Sequence, residues 1–151
     1  MTDTNRISVI ESLLETVEDG KVGFEEAADK LDGDGNPALA AEMRELSQER
    51  LRMANELRAL ATSEGVTLGN GDGTVAGALH RGWMSVRDAV TGDDPHAVLA
   101  AAEQGEDHAV AEYERALKSD VPTVIRAVIE RQYAEVRAAH DRVRDLRDSH
   151  N

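Results

Sequence analysis

Cysteine is absent from the 151 residues. That excludes a disulfide framework, an iron–sulfur cluster, a thiolate zinc site and a Cys nucleophile. Aromatic residues are scarce, limited to Phe24, Trp83, Tyr113 and Tyr133, so a core has to be built from Ala, Val, Leu and Ile. Proline occurs only at Pro37, Pro95 and Pro122, which leaves long stretches free of the strongest helix breaker. No apolar run approaches the roughly 18 residues of a spanning helix, and residues 1–6 lack the basic-then-apolar layout of a signal peptide. The expected compartment is the cytoplasm. Positive charge is short as well: 17 Lys and Arg face 30 Asp and Glu, a net of −13. Nucleic acid and anionic membranes select clustered Lys and Arg, so neither is an expected partner.

What is present describes a folded chain. With 40% hydrophobic and 31% charged residues, the composition is that of a globular protein, and the length predicts one domain over residues 1–151. The charge is uneven: residues 1–36 carry a net of −7, residues 37–122 a net of −7 and residues 123–151 a net of +1. A solvated surface accounts for this. A sharper expectation is that the last segment lies against the acidic first one.

Five segments, 6–31, 38–64, 75–91, 96–119 and 123–148, carry apolar residues at helical spacing. In the first, Ile10, Leu13, Val17, Phe24, Ala28 and Leu31 form a stripe, and Gly20 in its middle marks a position where the helix could bend. Pro37 suits the first turn of the second helix, whose stripe runs from Leu39 through Met43, Leu46, Met53 and Leu57 to Leu60. Residues 65–73 are glycine-rich loop, and Thr74 is placed to cap a short helix carrying Trp83, a candidate interface anchor. Asp94 before Pro95 predicts a cap for the fourth segment, which carries Val98, Leu99, Ala102, Ala109 and Tyr113. The fifth carries Val124, Ile125, Ile129, Val136, Ala139 and Val143. Nothing alternates with period two, so no sheet is expected. About 30 residues separate the second long helix from the third, room for a crossover running the length of a bundle. The predicted fold is therefore all-α: a ferritin-like four-helix bundle whose long crossover between helices 2 and 3 carries a short extra helix. A five-helix up-and-down bundle is the alternative.

The stretches Ala78-Leu79-His80-Arg81-Gly82-Trp83, Glu103-Gln104-Gly105-Glu106-Asp107 and His140-Asp141-Arg142-Val143 carry a family resemblance. Asp19-Gly20 followed by Gly23-Phe24 belongs to the same pattern. With them the sequence resembles, from about Ile7 to Leu146, a bacterial domain of unknown function grouped with the ferritin-like four-helix bundles. The resemblance implies that fold and, because the family has no established reaction, no activity.

Active ferritin-like bundles hold two iron or manganese ions with inward Glu residues and Glu-x-x-His pairs. None of the five His here has Glu three residues before it. On helical wheels Glu106 falls inside the apolar stripe with Glu103 at its edge, Gln132 near a stripe centre with Glu135 at the margin and His140 further round, and Arg50 in a stripe beside Glu49. In the first helix Gly20 and Lys21 occupy the stripe, while Glu18 and Asp19 point out. Reflecting each hairpin about its turn places Glu106 level with Gln132 and Glu135, and Arg50 level with residues 18–21. The favoured reading is a mid-bundle polar belt of Glu106, Arg50, Gln132 and Lys21, with no cofactor, in a non-enzymatic, stress-associated protein of unknown role. The alternative is an iron or manganese site of Glu106, Glu103 and Glu49 with Glu135 or His140, serving oxidase or storage chemistry. His140 and Asp141, adjacent on a helix, are expected to diverge. An amphipathic helix outside four others predicts a homo-oligomer, a dimer first.

Overall fold

The computed structural model describes residues 2–68 and 95–149. These residues form four helices: α1 (Thr2–Gly33), α2 (Pro37–Ser63), α3 (Pro95–Leu117) and α4 (Thr123–Ser149). No strand occurs among the described residues, and no described helix is long and apolar enough to cross a membrane. The segment expected as a short crossover helix, with Thr74 and Trp83, lies outside the described residues, as does the Asp94 cap.

Local chemistry sets the boundaries. Pro37 occupies the first turn of α2, where a missing N–H costs nothing. Both α1 and α2 end through a left-handed glycine. Gly35 (φ 82) lets the Asn36 N–H donate to the Leu31 carbonyl at 2.8 Å, and Gly65 (φ 70) lets the Val66 N–H donate to Ala61 at 2.8 Å. Gly20 produces no break, because α1 is continuous through it. A glycine at this position has a packing reason, described below.

Side-chain contacts fix the directions. Ser47 Oγ donates to the Lys21 carbonyl at 2.9 Å while Arg6 reaches Glu64, so α1 and α2 are antiparallel. Tyr113 meets Gln132 and Asp107 meets His140, so α3 and α4 are antiparallel. Ser12 donates to Glu112 at 3.2 Å, while Gly20 and Glu106 both touch Arg50, which sets α1 against α3 in opposite directions. Gln132 reaches Met53 and Arg142 reaches Glu42, so α2 and α4 are also antiparallel. It follows that α2 and α3 run the same way. The end of α2 and the start of α3 therefore lie at opposite ends of the bundle, about 40 Å apart at 1.5 Å per residue of α2.

The helices pack around α1–α2, α3–α4 and α1–α3 seams, with α2 and α4 approaching less closely. Two buried apolar clusters fill the interior. One centres on Ile10, Leu13, Leu57, Ile125 and Ile129, the other on Phe24, Leu31, Met43, Leu99 and Val143. The stripes read from the sequence supply nearly all of these side chains. Val124 is a correction: it is 56% exposed, because in the first turn of α4 the neighbouring Ile125 takes the inward position.

The charge expectation is also corrected. Among the described residues the cations of α4 do not pair with acidic α1. Arg131 bonds Glu56 and Arg142 bonds Glu42 on α2, and Arg147 bonds Glu103 on α3. Helix α1 lies diagonally across the bundle from α4, out of ion-pair reach.

Candidate functional site

Midway along the bundle, Arg50 of α2 crosses the interior to Glu106 of α3. Its Nη1 donates to Oε1 at 2.7 Å and Nη2 to Oε2 at 2.5 Å. The two side chains are 1% and 0% exposed. Both sit on the apolar stripe of their helix, so helical periodicity directs them inward. A carboxylate removed from water needs a matched donor, and a guanidinium offers two parallel N–H groups in the required geometry.

The surroundings are shaped to the guanidinium. Gly20 of α1 backs onto it so closely that a Cβ there would lie 2.9 Å from Nη1. The absence of a side chain at position 20 is therefore a packing requirement, which explains a glycine in mid-helix. The Phe24 ring lies one turn further along α1, its centroid 5.3 Å from the Arg50 Cζ, in cation–π range. Burial alone would lower the pKa of Arg50. The charge of Glu106 and its hydrogen bonds outweigh that and raise it. The Nε–H of Arg50 is buried without an acceptor among the described residues.

A second polar layer lies about 10 Å away, two turns along α3. The buried Tyr113 hydroxyl donates to Gln132 Oε1 at 2.7 Å. Gln132 Nε2 donates in turn to Glu56 Oε1 at 2.7 Å and to the Met53 carbonyl at 3.3 Å. Glu56 emerges between α2 and α4 and pairs with Arg131. Burial pushes the Tyr113 hydroxyl well above its ordinary pKa, with the Arg50 charge opposing. The Arg131 hydrogen bond holds the Glu56 carboxyl below the usual value, against burial and with help from Gln132.

The remaining residues singled out from the sequence are dispersed. Lys21 is outside the buried layer: its Nζ bonds Glu25 at 2.7 Å on the surface of α1. Its Cα is at the stripe, but a long side chain carries the ammonium out to water. Gln132 is not level with Glu106. At the turn, Arg126 in the first turn of α4 reaches back to the carbonyls of Leu117 (2.6 Å) and Ser119 (2.7 Å). Gln132 stands opposite Tyr113 instead. Glu49 is half-buried beside Arg50 with Oε1 unpartnered. Burial raises its pKa, the Arg50 charge opposes, and the nearby Glu135 carboxylate adds to the rise. Glu103 pairs with Arg147, and His140 Nε2 lies 3.7 Å from Glu103 and 2.7 Å from Asp107. His140 and Asp141 do not diverge: Nδ1 and Oδ1 are 3.2 Å apart.

The five candidate ligands thus fall into three places: Glu106 on Arg50, Glu49 with Glu135 between α2 and α4, and Glu103 with His140 on the α3–α4 seam. Among the described residues no group of three or more His, Asp or Glu side chains could hold a metal ion. A surface depression of about 430 Å³ on α1, lined by Ile7, Ser8, Glu11, Ser12 and Glu15, involves none of them.

Asp19, expected to point outward, is interior and 1% exposed. Thr16 and Gly23 are buried with it, three and four residues to either side, so α1 is covered over a wider arc than its apolar stripe. A polar or small residue every three to four positions was the available signal.

A family model described as Domain of unknown function (DUF2383) matches residues 5–119, about three-quarters of the chain. Among curated proteins none matches.

Proposed function

We propose a non-enzymatic role for this chain, which belongs to the Domain of unknown function (DUF2383) family: a ferritin-like helical bundle whose buried ion pair sets helix register. One observation carries the reading. Both oxygens of Glu106, the most deeply placed carboxylate on α3, accept from Arg50 across the interior. An arginine stays protonated at any physiological pH, so Glu106 in this arrangement is neither a free base nor an open ligand position. A paired charge at mid-bundle has one preferred alignment, and a slip of α2 past α3 by one turn would strand both partners. Such a penalty specifies register more than it adds stability.

The ferritin-like topology is supported by the parallel course of α2 and α3 and by closure through α1–α3 and α2–α4. Assembly as a homodimer in the cytoplasm extends the same reading. It is supported by the amphipathic sequence of residues 75–91 and is checked by light scattering.

Two measurements test the central claim. Protein purified without chelator is analysed for metal, then titrated with iron(II) or manganese(II) while its melting temperature is followed. Substoichiometric metal and an unchanged melting temperature are expected. Stoichiometric binding with a raised melting temperature overturns the reading. In the second, Glu106→Gln should lose about 3–5 kcal/mol of stability, the cost of leaving a buried guanidinium without its anion. A variant as stable as the parent would show that Glu106 is strained in place for some other purpose.

A further inference from the structure

His140, on α4, is 19% exposed and has a carboxylate oxygen at each ring nitrogen. Nε2 faces Asp107 Oδ1 of α3 at 2.7 Å, with Glu103 Oε2 of α3 behind it at 3.7 Å. Nδ1 faces Asp141 Oδ1 on its own helix at 3.2 Å. Neutral imidazole has one N–H and can donate to only one of these acceptors, whereas imidazolium donates to both. The geometry is matched to the charged ring.

We propose that His140 is a proton-operated clasp between α3 and α4, closed when both ring nitrogens carry hydrogen and released at one carboxylate when one of them does not. The surrounding charges are arranged so that His140 adds the decisive proton. Arg147 holds Glu103, and Arg144 lies 3.4 Å from Asp141. Arg137 adds positive potential at Asp141. Asp107 has His140 as its ion-pair partner among the described residues. No charged group of α1 or α2 pairs with His140 among the described residues. Burial works against the charged ring. The hydrogen bonds to Asp141 and Asp107, with the charges of Asp107 and Glu103, outweigh it and raise the pKa above the ordinary 6.5. A raised folded pKa gives stabilisation that is complete below the unfolded value and is lost as pH rises through the folded one. The clasp is therefore held at both carboxylates on the acid side and at only one on the alkaline side, and it acts on the end of the bundle that holds Leu99 and Val143.

The test follows the His140 ring resonances through a pH titration by NMR and compares melting temperatures of the parent and His140→Gln at about pH 5.5 and about pH 9, on either side of the imidazole range. Expected are a His140 midpoint above 6.5 and a parent-minus-variant difference in melting temperature that is larger at the lower pH than at the higher. A midpoint at or below 6.5, or an equal difference at both pH values, overturns the proposal. If His140→Gln does not fold, Asp107→Asn keeps it testable: the His140 midpoint should fall when the α3 carboxylate is neutralised, and an unmoved midpoint sinks the clasp.

Discussion

The two ends of the bundle are held by different chemistry. At the end where α1 begins, the core is rich in β-branched residues, among them Val9, Ile10, Val17, Ile125, Ile129 and Val136. Its interior polar groups are neutral: Tyr113 and Gln132 bond one another and reach charge only at the surface, through Glu56. At the other end the core leans on alanine, with Ala27, Ala28, Ala40, Ala101, Ala102 and Ala139, around Phe24 and Leu99. There the seams are closed from outside by charges: Arg142 to Glu42 and Glu45, Arg147 to Glu103, and His140 to Asp107. Short side chains bury less apolar area per residue, so a larger share of the holding falls to polar contacts at the rim. The Arg50–Glu106 pair lies between the two ends and belongs to neither.

The largest expected effect comes from that boundary. Arg50→Met leaves Glu106 as an uncompensated buried anion and should cost about 3–5 kcal/mol, read by denaturant titration. Adding Glu106→Leu to it should recover most of the loss, because two apolar side chains of similar volume replace a pair whose desolvation offsets its attraction. A double variant no better than the single one would mean that the pair is a net source of stability and not chiefly a register device. Gly20→Ala comes next. A methyl 2.9 Å from a guanidinium that is itself pinned by Glu106 has to displace the pair. We expect a loss of about 1–3 kcal/mol from overpacking, net of the roughly 1 kcal/mol that alanine gains in helix propensity.

These two effects also mark how far the sequence could be read. Arg50 and Glu106 were legible because each is a charged residue on an otherwise apolar stripe, and α-helical period is the strongest signal a sequence carries. The helix boundaries were legible through Pro37, Pro95, Pro122 and the glycines beyond α1 and α2. Gly20 was visible only as a weak point, since its partner lies 30 residues away in another helix. Asp19 was hidden because a wheel weighted by hydrophobicity cannot see a buried face made of Thr16, Asp19 and Gly23. Lys21 was misplaced because a wheel locates Cα and not the end of a four-carbon chain. The level of Gln132 depended on where α4 starts relative to α3. The contacts at that turn, Arg126 on the Leu117 and Ser119 carbonyls, have no sequence pattern.

Within the end where α1 begins, Tyr113→Phe tests the neutral layer. It removes the donor to Gln132 and leaves the Gln132 oxygen buried without it. A loss of about 1–2 kcal/mol is expected, measured by denaturant titration. The loss should not depend on salt, because neither group of the broken bond is charged. A loss that shrinks in salt would mean that the surface pair of Glu56 and Arg131, and not the buried hydroxyl, holds this layer.

The smallest effect should have the opposite salt behaviour. Arg142 is 43% exposed and bridges two α2 carboxylates, Glu42 at 2.5 Å and Glu45 at 3.3 Å. Half-exposed pairs are discounted by solvent, so Arg142→Ala should cost only about 0.2–1 kcal/mol. Because the screening length falls to about 3 Å at 1 M salt, the difference between parent and variant should shrink toward zero there. The Tyr113→Phe difference should stay constant over the same range. Thermal melts of both variants at low and high salt put the two ends of the bundle side by side. If Arg142→Ala loses the same stability at both salt concentrations, its contribution is packing of the side-chain stem across α2, and the distinction between a neutrally held end and a charge-held end fails at that seam.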